Sequence, residues 1–222
     1  MSDLTIKYSQ TIEDYLSLIY VIERDGETVV GARLAEILKV SAPTVTNTLK
    51  RMVRDGLITM QENGTHLTEA GWESARVVVR KHMLMEWMVL KMLPWSRLHP
   101  EAHNLEHAIS EEAENALFEE LGRPATCPHG NPLPGYEETV AHWVPLTQLN
   151  LGQFGIVKRI HELAEENTEL MEYLEEKGVT IGKKIQVSEI LPFNHTLTIL
   201  ANGHPVTLGF TVARYIFIDL DV

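Results

Sequence analysis

His99, His103, Glu106 and His107 recur at helical spacing: His103 is four after His99, and Glu106 and His107 are three and four after His103. Residues three and four apart share one face of a helix, so the four form a single stripe. Upstream, His82 and Glu86 are also four apart, on a separate helical segment. Imidazoles and carboxylates on two neighbouring helices can converge on a divalent cation, and this donor set suits first-row metals such as Mn, Fe, Co and Zn. Singly, each residue reads as a surface group or a cap. Together they favour a metal. The set carries no evident nucleophile and no general base with its own partner, and H-E-x-x-H is absent because Glu106-His107 runs on into Ala108-Ile109-Ser110. Metal sensing is therefore expected rather than hydrolysis, and the chain is not expected to be an enzyme.

These residues need helices to present them. From Gly71 the apolar pattern is helical through Val77, Val78, Leu84, Met88 and Leu90 to Leu93, where Pro94 stops it. The next helix is expected to start at His99-Pro100-Glu101, with Pro100 at its first position. Ahead of both, Ser9 to Arg24 buries one stripe of Ile12, Tyr15, Leu16, Ile19 and Tyr20, and Gly31 to Leu38 repeats the pattern. Ser41 is placed to cap a third helix, Pro43 sits in its first turn, and Gly56 follows its end near Asp55. Two short helices joined by a tight turn form a helix-turn-helix. The Glu62-Asn63-Gly64 turn between alternating runs predicts a hairpin wing.

The second helix of that pair would expose Thr44, Thr46, Asn47 and Lys50, away from Val45 and Leu49. Hydroxyls and the amide suit base edges, Lys50 and Arg51 suit phosphates, and Ser41 and Pro43 shape the helix entry. The net charge of −12 at first argues against nucleic acid. Through His82, however, ten basic residues face eleven acidic ones; the remaining nine basic and twenty acidic residues lie beyond. Local charge decides phosphate binding, so the acidity of the second part does not exclude DNA.

Gly122 to Pro145 is rich in Pro and Gly and holds Cys127-Pro128-His129, read as a structured loop in preference to a ligand pair. Strand-like runs follow at 155–160, 184–190, 196–200, 205–210 and 215–220, with a helix near 168–177, as in a small barrel. The fold class is thus mainly α with small β parts. Expected domains are a winged helix-turn-helix (1–72), a helical metal-binding domain (73–140), a linker (141–151) and a small-barrel domain (152–222). The single cysteine excludes an internal disulfide and fits a reducing cytoplasm. No apolar run suggests a membrane span, and MSDLTIKYSQ lacks a signal-peptide layout.

Thr11-Ile12-Glu13-Asp14-Tyr15-Leu16, Ser41-Ala42-Pro43-Thr44-Val45-Thr46, Arg80-Lys81-His82 with Glu86, His99 to His107, and Gly130-Asn131-Pro132-Leu133-Pro134-Gly135 occur in this order. In these motifs the chain resembles the diphtheria-toxin-repressor family of metal-dependent transcriptional repressors, in its long form with a C-terminal SH3-like domain. The resemblance implies a homodimer on palindromic operator DNA, with 73–140 as the metal-binding and dimerisation domain and 152–222 as an SH3-like, FeoA-like domain. It implies a primary metal site of Asp14, His103, Glu106 and His107, and an ancillary site of His82, Glu86 and His99, completed by Glu166 and Glu169. Iron-type members carry methionine and cysteine at the positions of Asp14 and His103. Oxygen and nitrogen there make a harder site, which favours Mn(II). Manganese-type members usually add a glutamate one turn after the aspartate, where this chain has Ser17. The expected order is Mn(II), then Fe(II), then Zn(II). Two other readings stay open: a metalloenzyme with an N-terminal interaction module, and a repressor that senses a non-metal ligand.

Overall fold

The computed structural model describes residues 8–220, which fall in two compact units divided between Lys81 and His82. The ends of the first and last expected domains, and most of the N-terminal stretch, lie outside the described residues.

The first unit opens with helix α1 (Gln10–Arg24), whose stripe of Ile12, Tyr15, Leu16, Ile19 and Tyr20 is almost wholly buried. Helices α2 (Gly31–Ile37) and α3 (Ala42–Arg54) add Leu34, Val45, Leu49 and Met52 to the core. The Ser41 hydroxyl accepts the Thr44 amide at 3.3 Å, capping α3, and Gly56 takes φ +74° beyond its end. Strands β1 (Ile58–Gln61) and β2 (Gly64–Leu67) pair antiparallel from Ile58↔Leu67 to Gln61↔Gly64, so Glu62 and Asn63 form the turn. Gly64 has φ +135°, and a Cβ there would lie 2.9 Å from the Val29 carbonyl oxygen, so only glycine fits. Glu23 at the end of α1 anchors the wing: one carboxylate oxygen lies 2.7 Å from His66 Nδ1 and the other accepts the Leu67 amide at 2.9 Å.

Helix α4 (Glu69–Val89) runs into the second unit and ends four residues short of the expected Leu93. The amides of Met92 and Leu93 both bond the Val89 carbonyl, tightening the chain ahead of Pro94, whose ring disfavours helix in the preceding residue. A 3-10 turn at Trp95–Arg97 leads into α5 (Leu98–Leu105). Pro100 is therefore its third residue, not its first, still among the positions whose N–H has no helical partner. Helix α6 (Glu111–Glu120), capped by Ser110, was not anticipated from periodicity.

The C-terminal sheet has six antiparallel strands in the order β3-β8-β4-β5-β6-β7. They are β3 (Val144–Pro145), β4 (Phe154–Ile160), β5 (Lys184–Leu191), β6 (Thr196–Ala201), β7 (His204–Gly209) and β8 (Ile216–Asp219). Helices α7 (Glu162–Glu165) and α8 (Thr168–Glu176) lie between β4 and β5, and α9 (Phe210–Ala213) between β7 and β8. Alternate residues Val157, Ile185, Val187, Leu197, Ile199 and Ile218 face one core that Met171 and Leu174 of α8 complete. The Pro/Gly-rich loop docks along β4: the Ile160 amide bonds the His129 carbonyl at 2.9 Å. Gly130, at φ +86°, passes so close that any Cβ would overlap the Lys158 carbonyl oxygen.

Candidate metal centre

The expected DNA-facing residues lie together on α3. Ser41, Pro43, Thr44, Thr46, Asn47, Lys50 and Arg51 are all exposed, while Val45, Leu49 and Met52 are buried. Thr46 spends its hydroxyl on the Ala42 carbonyl at 3.0 Å, and Arg51 lies 3.6 Å from Asp55. The amide of Asn47 and the ammonium of Lys50 stand on the outer face. Asp14 lies in the second turn of α1, partly buried.

In the second unit the His/Glu stripe of α5 divides. His103 Nδ1 and His107 Nε2 lie 3.2 and 3.4 Å from Glu106 Oε1, at the helix end and just beyond it. His99, one turn earlier, joins His82 and Glu86 of α4 instead. Its Nδ1 is 2.9 Å from His82 Nε2 and 3.5 Å from Glu86 Oε1, and His82 Nε2 is 3.3 Å from the same oxygen. His82 links the two sets, because its Nδ1 lies 2.5 Å from Glu106 Oε2.

A further set joins Cys127 and His129, expected from sequence to be loop structure, to Glu86 and Glu165. Glu86, Cys127, His129 and Glu165, all buried, hold ligand atoms within 4.8 Å of one another. His129 Nδ1 lies 3.1 Å from Glu86 Oε2 and 3.2 Å from Glu165 Oε2, while its Nε2 donates to the Trp95 carbonyl at 3.0 Å. The Cys-x-His spacing was visible; its carboxylate partners, about forty residues away on either side, were not. Of the acidic residues expected from the third domain, Glu166 lies 3.5 Å from His99 Nε2 but is half exposed. Glu169 is exposed in the first turn of α8 and belongs to no such group among the described residues. Glu165 takes the inner position, with Oε2 3.1 Å from His99 Nδ1.

Burial opposes charge on His82, Glu86, His99, Glu106 and His129, yet their mutual attraction outweighs it. Burial and the neighbouring His99 push His82 down, but Glu106 and Glu86 lift it to about 9. Burial raises Glu106, but His103 and His82 hold it at about 2. His99 and His129 are likewise held well above the usual imidazole range against burial, by Glu165, Glu166 and Glu86 for the first and by Glu165 and Glu86 for the second. Glu86, which burial alone would raise, is held low chiefly by His129. Burial and the charge of Glu86 push the Cys127 thiol up. Without a metal, protons on the imidazoles balance the carboxylates. A divalent cation can replace those protons.

The donors fit such an ion on two further counts. Glu165 Oε2 is buried and accepts no hydrogen bond, although imidazole nitrogens flank it at 3.1 and 3.2 Å. Ligand atoms about 2.1 Å from one cation stand roughly 3.0 to 3.4 Å apart, close to the spacings found here.

Comparisons with known proteins agree with this chemistry. Three family models match in sequence order: the iron dependent repressor N-terminal DNA binding domain over residues 7–65, the iron dependent repressor metal binding and dimerisation domain over 68–135, and the FeoA domain over 144–220. The iron-dependent repressor IdeR of Mycobacterium leprae is 34% identical, with 99% of each chain covered. The diphtheria toxin repressor of Corynebacterium diphtheriae is 32% identical, over 94% of this chain and 96% of its own. Among solved structures, a manganese-dependent transcriptional repressor in complex with manganese matches with a TM-score of 0.81 at 26% identity, covering 93% of this chain and 98% of its own. The manganese regulator SloR matches at 0.80 with 28% identity, covering 95% and 98%. Among the described residues no helix is long and apolar enough to cross a membrane. The chain belongs to the iron-dependent repressor family, the metal-dependent transcriptional repressors that include IdeR and the diphtheria toxin repressor.

Proposed function

We propose that this protein is a homodimeric repressor that binds a palindromic operator when loaded with Mn(II), with Fe(II) the second choice and Zn(II) the third. The observation that carries the reading is the buried imidazole–carboxylate network of the second unit, costly to bury and balanced by a cation. The division proposed is that of the sequence: a winged helix-turn-helix to residue 72, a metal-binding and dimerisation region to 140, a linker to 151 and the SH3-like domain beyond.

In this reading Asp14 joins His103, Glu106 and His107 as the primary site, and His82, Glu86 and His99 with Glu166 form the ancillary site. Glu165, Cys127 and His129 extend the latter, and Glu169 is left out. The cation would supply the positive charge that holds Asp14 beside the Glu106 carboxylate. Asp14 belongs to α1, which also holds the wing through Glu23, so fixing Asp14 would fix the reading head. Two heads held at one spacing match successive major grooves, roughly 34 Å apart. Asn47 and Thr44 would read base edges; Lys50 and Arg51 would meet phosphates, with Ser41, Pro43 and Thr46 shaping the face. The all-N/O donor set of the primary site supports manganese. Several of the matched structures are named for manganese, and another is the repressor ScaR with bound zinc.

The test is operator retention titrated anaerobically with chelator-buffered Mn(II), Fe(II) and Zn(II). The expected result is DNA binding that needs metal, appears first with Mn(II) at matched free concentrations, and is abolished in a folded Asp14→Ala dimer. Operator binding indifferent to chelators would overturn it in favour of a non-metal effector; hydrolytic or redox turnover would favour the enzyme. The coupling is reciprocal, so operator DNA should tighten Mn(II) binding by the same factor.

A further inference from the structure

Helix α5 presents His99 and His103, with Glu106 and His107 just past its end, yet it is only eight residues long. Helices that short are marginal by themselves, and the first N–H groups of a helical start have no helical partner. The local sequence supplies no cap: neither Pro94 ahead of the 3-10 turn nor Arg97 ahead of α5 bonds those amides with its side chain. The cap comes instead from the C-terminal domain. Glu175, in the last turn of α8, accepts the Trp95 amide with Oε1 at 3.1 Å and the Ser96 amide with Oε2 at 3.2 Å. From this external cap we propose that Glu175 is a positioning residue of the metal response, through which the C-terminal domain holds α5 ready for the cation. The proposal rests on the reading of the α5 stripe as metal ligands, and it gives that domain a part that involves no contact with the ion.

The contact is made to carry position. Glu175 spends both oxygens on the turn, and a carboxylate at a helical start also offsets the partial positive charge of its N–H groups. Glu172, one turn earlier on α8, places Oε1 3.3 Å from Arg97 Nη1 of the same turn. Trp95 extends the joint. Its ring packs against the core of the C-terminal sheet, its indole N–H donates to the Pro128 carbonyl at 3.1 Å, and its own carbonyl accepts His129 Nε2 at 3.0 Å. The turn is thus tied to the sheet and to the Pro/Gly-rich loop before α5 begins. His99 stands in the first turn of α5, so a fraying start moves His99 first. It leaves His103 and Glu106 on a helix that the ion must then re-form. Apparent affinity falls by the fraction of molecules that hold the competent form, so a start formed in about one molecule in ten would weaken metal binding about tenfold.

Full-length Glu175→Ala is compared with wild type in two measurements. Hydrogen exchange at the Trp95 and Ser96 amides, without metal, should quicken about tenfold. The free Mn(II) needed for half-maximal operator retention should rise about tenfold, with retention at saturating Mn(II) equal to wild type. Glu175→Gln, which keeps one acceptor, should fall between the two. Glu172→Ala, which removes an exposed pair, should stay within about twofold of wild type. Faster exchange with an unmoved Mn(II) midpoint overturns the proposal, because the cap would then serve the fold alone. Unchanged exchange overturns it too, and so does retention that excess Mn(II) fails to restore. Should Glu175→Ala not fold, the Glu175→Gln midpoint decides in the same way. Wild-type retention indifferent to chelators would instead overturn the metal reading itself, whatever the exchange rates.

Discussion

The two units bury different chemistry. In the first, among the described residues, Thr65 is the sole buried polar side chain, and the rest of the core is aliphatic or aromatic. In the second, His82, Glu86, Glu106, His129, Asn131, Arg159, Glu162 and Glu165 are all buried. An apolar core stabilises without regard to pH or ions. Buried charges hold together only while protons, partners or a cation balance them. The first unit's core is therefore indifferent to ions, and the second is where a chemical signal can act.

The sharpest break in that comparison is a cavity in the head. Leu49→Ala removes a buried side chain from α3 and should destabilise the first unit by about 2–5 kcal/mol. Thermal melting with and without Mn(II) measures it, and the loss should be the same in both.

The second unit should answer to pH. His82 is raised from 6.5 to about 9, so its contribution is complete below pH 6.5 and fades as pH rises through 9. Glu106 is lowered from 4.5 to about 2, so its contribution is complete above pH 4.5 and fades as pH falls toward 2. Both shifts report one His82–Glu106 pair and are counted once. Metal-free protein should thus be most stable between pH 4.5 and 6.5, losing on the order of 3 kcal/mol toward pH 9. Denaturant titrations across that range, followed at Trp87 or Trp95, check it. A His82→Gln variant that kept the same alkaline decline would refute the assignment.

Metal should sharpen the contrast next. At a hundred times its dissociation constant, Mn(II) should add about 2.7 kcal/mol to the folded state and flatten the alkaline decline, since the ion replaces the protons. Equal protection of a Glu86→Gln protein would place the ion elsewhere. The smallest effect belongs to the head: Ser41→Ala removes the α3 cap and should cost about 1 kcal/mol, independent of metal. Asn47→Ala, by contrast, should leave the melting point unchanged. It should weaken specific operator binding by about 1–3 kcal/mol, read in a gel-shift titration with Mn(II) affinity measured separately.

Much of the molecule was legible in the chain because its signals are local. Ser41 and Pro43 mark the start of α3, Gly56 its end, and Asn63-Gly64 the wing, each through contacts within a few residues. Alternation also placed five strands of the C-terminal sheet within one or two residues of their ends. The stripe from His99 to His107 gathered imidazoles and carboxylates by spacing alone. Its division did not show in spacing, because His99 answers to α4 and α7 and the remainder to Glu106 at the helix end.

The sequence by itself determined most of the element order, the exposed face of α3 and the spacing of the histidine–carboxylate cluster, since each follows from periodicity and capping within a single segment. Only tertiary structure decided that Glu86 would meet Cys127 and His129, and that Glu165 rather than Glu169 would be the inward carboxylate. Those choices depend on how a Pro/Gly loop docks on β4 and where the one-turn helix α7 begins. Both are set by packing between segments about thirty residues apart along the chain. No local preference encodes that distance.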